Sequence, residues 1–255
     1  MTSIAVSVQN VNKQYGKNGT IALSDVSIDI PEGKFISVLG PSGCGKSTLL
    51  RCVAGLESIT SGKIVVSGQE VKEPPSGIGM VFQRDALLGW RTIKENLLLP
   101  IELSKKRKSD YEEKIQELLA LTGLEAFADK YPHQLSGGMR QRASICRGLI
   151  DDPKILLMDE PFSALDAFTR DQMNSELQRI WTDIGNTVLF VTHGIAEAVF
   201  LADIVLVMSP RPGRIQEVIE VDLPRPRNLD VRESAEFGHY TKHIRHLFDQ
   251  MSIEA

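Results

Sequence analysis

Apolar and polar residues alternate at Ile4, Val6 and Val8 and again through IALSDVSIDI at 21–30. Each segment predicts a strand with one covered and one wet face, the pattern of an antiparallel sheet. FISVLG (35–40), IGMVF (78–82), ILLMD (155–159), TVLFVT (187–192) and IVLVM (204–208) are instead short unbroken apolar runs. Such runs predict strands covered on both faces of a parallel sheet. Helical spacing fills the intervals, so the chain reads as an α/β fold with a mostly parallel sheet and an added antiparallel β subdomain.

The reading is one domain over 1–255, with a helical subdomain inserted at 84–152 and a C-terminal extension at 209–255. Within the insert, Ser109 and Glu112 have capping-box spacing, and Tyr111, Ile115, Leu118 and Leu119 follow on one helical face. Gly123 offers a left-handed stop. A second helix is expected from Ser136, with Met139, Ala143, Cys146, Leu149 and Ile150 on one face and Pro153 barring its continuation. The basic run KKRK at 105–108 reads as a solvated loop. In the extension, prolines punctuate short strand-like pieces before a helix expected near His239–Met251. His239, His243 and His246 have helical spacing, but no Cys or paired carboxylate stands beside them, so a plain helix face is the better reading.

Composition narrows the class. With 255 residues, 42% hydrophobic and 24% charged, the chain can bury a core, which excludes a disordered, collagen-like or coiled-coil protein. Lys+Arg 29 against Asp+Glu 33 gives −4, so no broad basic field is present and a nucleic-acid partner is not expected. Gly, Pro or charge interrupts every apolar run before the ~20 residues that span a bilayer. The start MTSIAVSVQNVNKQYG lacks a basic stretch followed by an apolar one, so no secretory leader is expected. Cys44, Cys52 and Cys146 form no CxxC and read as free thiols, Cys44 contributing backbone to a glycine-rich loop and the others filling core.

That loop is GPSGCGKS, Gly40 to Ser47, and it matches G-x-x-x-x-G-K-[ST] between an apolar strand and a helix. Glycines let successive N–H groups turn inward toward phosphate oxygens, and the helix start adds a positive end. The candidate nucleotide contacts are Gly40, Pro41, Ser42, Gly43, Cys44, Gly45, Lys46, Ser47 and Thr48, with Lys46 reaching the β- and γ-phosphates. The Ser47 hydroxyl is a candidate Mg²⁺ ligand. In ILLMDEP an apolar strand delivers Asp159 to the carboxyl edge of the sheet, placing it to hold magnesium. Glu160, one residue further, is a candidate base for the water that attacks the γ-phosphate. LSGGMRQR at 135–142 puts Ser136, Gly137 and Gly138 at a second helix start, another anion site. One ATP cannot use both glycine-rich sites if they lie in different subdomains, so a two-fold dimer with ATP between two copies is the economical arrangement.

Taken together these motifs resemble the ATP-binding subunits of ABC transporters, in order and over nearly the whole chain. The resemblance implies the P-loop ATPase fold of that family, with ATP and Mg²⁺ as ligands. It gives Tyr15 the adenine-stacking role, and Gln83 the place of the glutamine that joins magnesium and the attacking water. It makes Asp166, in SALD, a link between the two sites of the dimer, and His193 the contact to the γ-phosphate. With Lys46, Gln83, Glu160 and His193 catalytic, and Ser47, Gln83 and Asp159 around the metal, the set is complete. LLGWRTIKEN (87–96), DAFTR (166–170), RPGRI (211–215) and VDLPRPR (221–227) resemble the nitrate/sulfonate/taurine importers. Gly89 and Gly194 depart from that group's usual proline and aspartate, and Cys146 and Gly148 from alanines. The resemblance further implies transmembrane permease subunits, contacted through 83–96 with Leu87, Leu88 and Trp90, a periplasmic solute-binding protein, and a peripheral position on the cytoplasmic face of the inner membrane. The competing expectation is a non-transport ABC ATPase acting on nucleic acid or the ribosome. A small-molecule kinase or GTPase fits LSGGM, Gln83 and His193 less well, and no N-K-x-D is present.

Overall fold

The computed structural model describes residues 3–16 and 19–253. Met1, Thr2, Lys17, Asn18, Glu254 and Ala255 lie outside them, and with them the ends of the expected 1–255 and 209–255 spans. The chain divides into two compact units, residues 1–76 with 185–255, and residues 77–184.

The first unit opens with β1 (Ile4–Gln14), β2 (Ile21–Pro31), β3 (Phe35–Leu39), α1 (Lys46–Val53), β4 (Ser61–Val66) and β5 (Gln69–Glu70). The second contains β6 (Ile78–Val81), α2 (Ile93–Leu97), α3 (Leu99–Leu103), α4 (Glu112–Thr122), α5 (Gly137–Leu149), β7 (Ile155–Asp159) and α6 (Ala167–Ile184). The first then resumes with β8 (Thr187–Thr192), α7 (Ile195–Leu201), β9 (Ile204–Met208), β10 (Ile215–Glu220) and α8 (Ala235–Ile253).

The two hydrophobic periods found in the sequence become two kinds of sheet. In the first unit β2, β1, β4 and β5 form an antiparallel sheet in that order, with Val6 facing Ile30 and Val66. Beside it, β8 and β9 flank β3 in parallel, and β10 closes the β9 edge antiparallel. Every residue of β3 and β8 is buried, as their unbroken apolar runs require. Phe35 and Phe190 meet there with ring centroids 5.8 Å apart, each burying a side chain worth about 2–3 kcal/mol. In the second unit β6 and β7 pair in parallel, Val81 opposite Met158.

Helix ends follow the local chemistry at Gly123 and Ser136 but not at Ser109. Gly123 closes α4 in the left-handed conformation, at φ 65°. The Ser136 hydroxyl accepts the Met139 N–H and caps α5. The capping box expected at Ser109 and Glu112 does not form. Ser109 sits in a single 3-10 turn, Lys108–Tyr111, and donates to the Asp110 carboxylate at 3.1 Å. Glu112 is held instead by Lys94, at 2.6 Å, so α4 begins at Glu112 without a side-chain cap. The KKRK run is tied down locally, Lys106 to Asp151 and Lys108 to Glu102.

The C-terminal extension secures α7. Arg227 is buried, and its guanidinium donates to the carbonyls of Val199, Phe200, Ala202, Val221 and Leu223. Three of these belong to the last turn and cap of α7, where helical carbonyls otherwise lack partners. Burial, reinforced by the charge on Arg225, draws the Arg227 pKa down to about 10, so it stays protonated at neutral pH. Arg225 adds bonds to the Leu201 carbonyl and the Asp203 carboxylate. Replacing Arg227 with methionine leaves several carbonyls unpaired in the interior and should cost about 3 kcal/mol. Urea denaturation with the midpoint unchanged would show that the extension does not hold this helix.

Candidate functional site

Strand register positions most of the sequence-predicted residues. In the first unit Leu39 lies opposite Thr192, so the next residues, Gly40 and His193, leave neighbouring strands at the same carboxyl edge. The loop from Gly40 then winds through Gly43 at φ 75° and Gly45 at φ 111° into α1. A Cβ on Gly45 would sit 2.7 Å from the Ala22 carbonyl oxygen, so both conformation and space require glycine. Lys46 is buried, and its ammonium donates to the carbonyls of Gly40 at 2.8 Å and Pro41 at 3.0 Å. Two backbone carbonyls thus hold a cation at the start of a helix, where backbone N–H groups and the helix dipole favour an anion. Cys44 is buried in the same loop, where a Cβ on Gly40 would meet its Sγ at 2.8 Å; its part is packing.

Tyr15 is exposed, and its hydroxyl is 3.4 Å from the Thr48 hydroxyl on α1. The Lys13 ammonium lies 4.7 Å from the Tyr15 ring centroid. Arg211, from the C-terminal part, donates to the Gly43 carbonyl at 3.1 Å and steadies the rim of the loop, a contact the sequence reading missed. Its only prior signal is the RPGRI segment, whose spacing says nothing about a loop so distant in sequence. His193 is exposed on the turn between β8 and α7.

The second unit builds its edge the same way. Because Val81 and Met158 are in register, Gln83 and Glu160 each stand two residues beyond a matched pair. The Gln83 amide donates to the Glu160 carboxylate at 3.4 Å. Asp159 is buried at the end of β7, and Glu160 adopts a left-handed backbone at φ 45°. A non-glycine residue held there is strained, and such strain gathers where side-chain direction matters. Within this unit Gln83 and Asp159 offer oxygen donors, the hard-ligand chemistry that suits Mg²⁺.

In this unit Ser136 and Gly137 are exposed at the start of α5, while Gly138 is buried. A Cβ on Gly138 would come within 3.1 Å of Thr169 Cγ2, and one on Gly137 within 3.7 Å of Leu165 Cδ2, which ties this helix start to the SALD segment. Asp166 accepts from the Thr169 N–H at 3.0 Å and hydroxyl at 2.7 Å, bonds that hold its carboxyl below the usual carboxylate range. It therefore caps the start of α6. Trp90 is 76% exposed, whereas Leu87 and Leu88 are half-buried. Arg140 pairs with Asp85 at 3.0 Å, and Arg147 donates to the Asp85 and Ala86 carbonyls, so the segment after Gln83 is fastened to α5. Cys52 and Cys146 are desolvated thiols, pushed up to about 11 and about 12, which fits their place in the core. His243 bonds Glu217 at 2.7 Å, and His246 contacts Gln250, so the histidine face of α8 is used in local pairing.

Known proteins resemble this chain in sequence and fold. The family profile described as ABC transporter matches residues 23–163. An uncharacterized ABC transporter ATP-binding protein of Methanocaldococcus jannaschii is 46% identical, covering 94% of this chain and 90% of its own length. A taurine import ATP-binding protein of Rhizobium johnstonii is 47% identical over 83% of this chain and 80% of its length. An aliphatic sulfonates import ATP-binding protein of Bacillus cereus is 40% identical over 96% of each. Among solved structures, a dimeric post-hydrolysis ATP-binding cassette bound to ADP and Pi aligns with TM-score 0.74 and 32% identity, covering 86% of this chain and 100% of that one. A Clostridium perfringens protein described as part of an ABC transporter complex aligns with TM-score 0.78 and 25% identity, over 96% and 99% of the two chains.

The geometry around Gly45 sets a direct test of the phosphate loop. A Gly45→Ala substitution should weaken ATP binding at least about tenfold, because the added methyl both strains the backbone and collides with the Ala22 carbonyl. Calorimetric titration that returns the original affinity would remove this loop from nucleotide binding.

Proposed function

The chain belongs to the ABC transporter ATP-binding family, and from that premise we propose that it powers import of a small solute such as nitrate, a sulfonate or taurine. It is an ABC transporter ATPase, related to importer subunits for taurine and aliphatic sulfonates. Among the described residues no helix is long and apolar enough to cross a membrane. In the proposed arrangement the chain lies peripherally on the cytoplasmic face, coupled to separate permease subunits and served by a periplasmic solute-binding protein. Trp90, with Leu87 and Leu88, is the proposed permease contact, an apolar group on an otherwise polar loop. The Clostridium perfringens relative, itself part of an ABC transporter complex, supports a multi-subunit assembly.

The observation that carries the catalytic reading is the Gln83–Glu160 pair beside Asp159. Glu160, fixed in its left-handed turn, receives the proton of the attacking water, and Gln83 orients both carboxylate and water. On the first unit Lys46 exchanges its two carbonyl acceptors for phosphate oxygens, and charge-assisted bonds of this kind are roughly twice as strong as neutral ones. His193 contacts the γ-phosphate, and Tyr15 stacks on the adenine. Asp159, Ser47 and Gln83 would hold Mg²⁺, which supplies neutralisation of the charge developing on the phosphates.

Ser136, Gly137 and Gly138 face the nucleotide of a second copy, and Asp166 links the two sites. The dimeric cassette among the relatives supports this arrangement. Two ATP molecules join the copies, and cleavage removes the γ-phosphate contacts and releases them, so nucleotide state shifts the association equilibrium.

A Glu160→Gln variant keeps a side-chain acceptor for Gln83 but loses the base. Its turnover should fall on the order of a hundredfold or more while ATP affinity is retained. The same variant with ATP should sediment as a dimer and return to monomer with ADP. Turnover equal to the parent chain would refute Glu160 as base, and a monomer at saturating ATP with permease present would refute the shared site. Stimulation by nucleic acid in place of permease would favour the non-transport reading.

A further inference from the structure

We propose that Thr192 and Glu197 form a relay that sets the direction of His193, which makes both positioning residues for ATP hydrolysis. The inference rests on the role proposed for His193 and goes beyond it. His193 occupies the single step between the last residue of β8 and Gly194, the N-cap of α7. Gly194 has no side chain to cap this helix, and its backbone is extended, at φ −91° and ψ 111°. In an ordinary capping box the acidic residue three positions into the helix reaches back to the N-cap N–H. Glu197 holds that position, but its carboxylate instead accepts the Thr192 hydroxyl, and the Thr192 oxygen accepts the Gly194 N–H at 2.9 Å. One hydroxyl uses its donor toward the helix and an acceptor lone pair toward the cap.

The chain therefore leaves β8, turns at His193 and is fastened on both sides of that turn by the same oxygen. Thr192 and Glu197 are buried, 2% and 9% exposed, while His193 itself is exposed. His193 thus stands on a backbone with little freedom of its own. Both flanks are anchored. Thr192 is in register with Leu39, beside the phosphate loop. On the helix, the Ala198 carbonyl takes a bond from Ser37 of β3, and Val199 and Phe200 are held by Arg227. The glycine at 194 fits this scheme. A Cβ there would stand 3.3 Å from Glu197 Cβ, a tight contact, and 3.5 Å from the Thr192 hydroxyl oxygen, an ordinary one, so position 194 packs directly against both members of the relay.

A general stabilising contact and a positioning device differ in what they change. Thr192→Val is nearly isosteric and removes the hydroxyl; Thr192→Ser restores it. Glu197→Ala removes the acceptor; Glu197→Gln restores one. In the full-length chain, Thr192→Val and Glu197→Ala should each lower kcat on the order of tenfold, with KM for ATP changed by less than about twofold. Thr192→Ser and Glu197→Gln should keep most of the rate. In a His193→Ala background, Thr192→Val should cost less than about twofold more, because the group it positions is already gone. Equal losses in both backgrounds, or a serine variant as slow as the valine one, would overturn the relay. His193→Ala with the parent turnover would overturn the role of His193 itself, and is distinguishable because that single variant suffices to show it.

Discussion

A cation buried in a loop of backbone carbonyls is the constraint on which the rest depends. Lys46 is removed from water, and the Gly40 and Pro41 oxygens accept its ammonium, which ties the start of the loop to its end. Those acceptors are neutral. In the proposed nucleotide site a phosphate would compete with them by charge. The winding in turn demands Gly43 and Gly45, and it demands that β3 deliver the chain at one fixed height. Parallel register then sets His193 at that height without further specification, because Leu39 and Thr192 are partners.

The same logic, repeated on the second unit, produces the carboxylate edge. Matched strands bring Gln83 and Glu160 level, and a strained turn at Glu160 aims its side chain where a relaxed extended residue would not. Asp159 ends the buried run ILLMD, so its carboxylate is the last group before the edge. Chemistry here follows from where a strand stops rather than from an elaborate pocket. That is the habit of parallel sheets, whose ligands lie beyond the carboxyl ends of strands.

Much of this was legible beforehand because period and punctuation are local properties. Continuous apolar runs announced β3, β6, β7, β8 and β9, and the glycine spacing announced the phosphate loop. What escaped depends on partners distant in sequence or on competition between partners. Glu112 had the spacing for a cap, yet Lys94 offers it an ion pair, and no window around Ser109 contains that lysine. Arg227 looks like one basic residue in a proline-rich tail, and only the return of the chain past α7 makes it a buried cap. Asp166 carried meaning through resemblance alone, while the structure adds an ordinary helix cap formed with Thr169. Arg211 reaches Gly43 across most of the chain, a contact no local pattern encodes.

The loop proposed to meet a permease is joined to the proposed anion site at Ser136 by rigidity within the second unit. The segment after Gln83 is not a free connection. Arg147 holds the Asp85 and Ala86 carbonyls, Arg140 holds the Asp85 carboxylate, and both arginines stand on α5. Burial draws the Arg147 pKa down, with the Asp85 charge acting against that shift, so the guanidinium's attachment to the loop offsets part of its desolvation. The helix that carries these arginines begins at Ser136, the group proposed to meet the second copy's nucleotide. A push on Trp90 or its neighbours therefore cannot move the loop alone without breaking charged bonds, whereas moving α5 with it keeps them. Cost thus favours transmission over local yielding, and it does so through named bonds rather than through proximity.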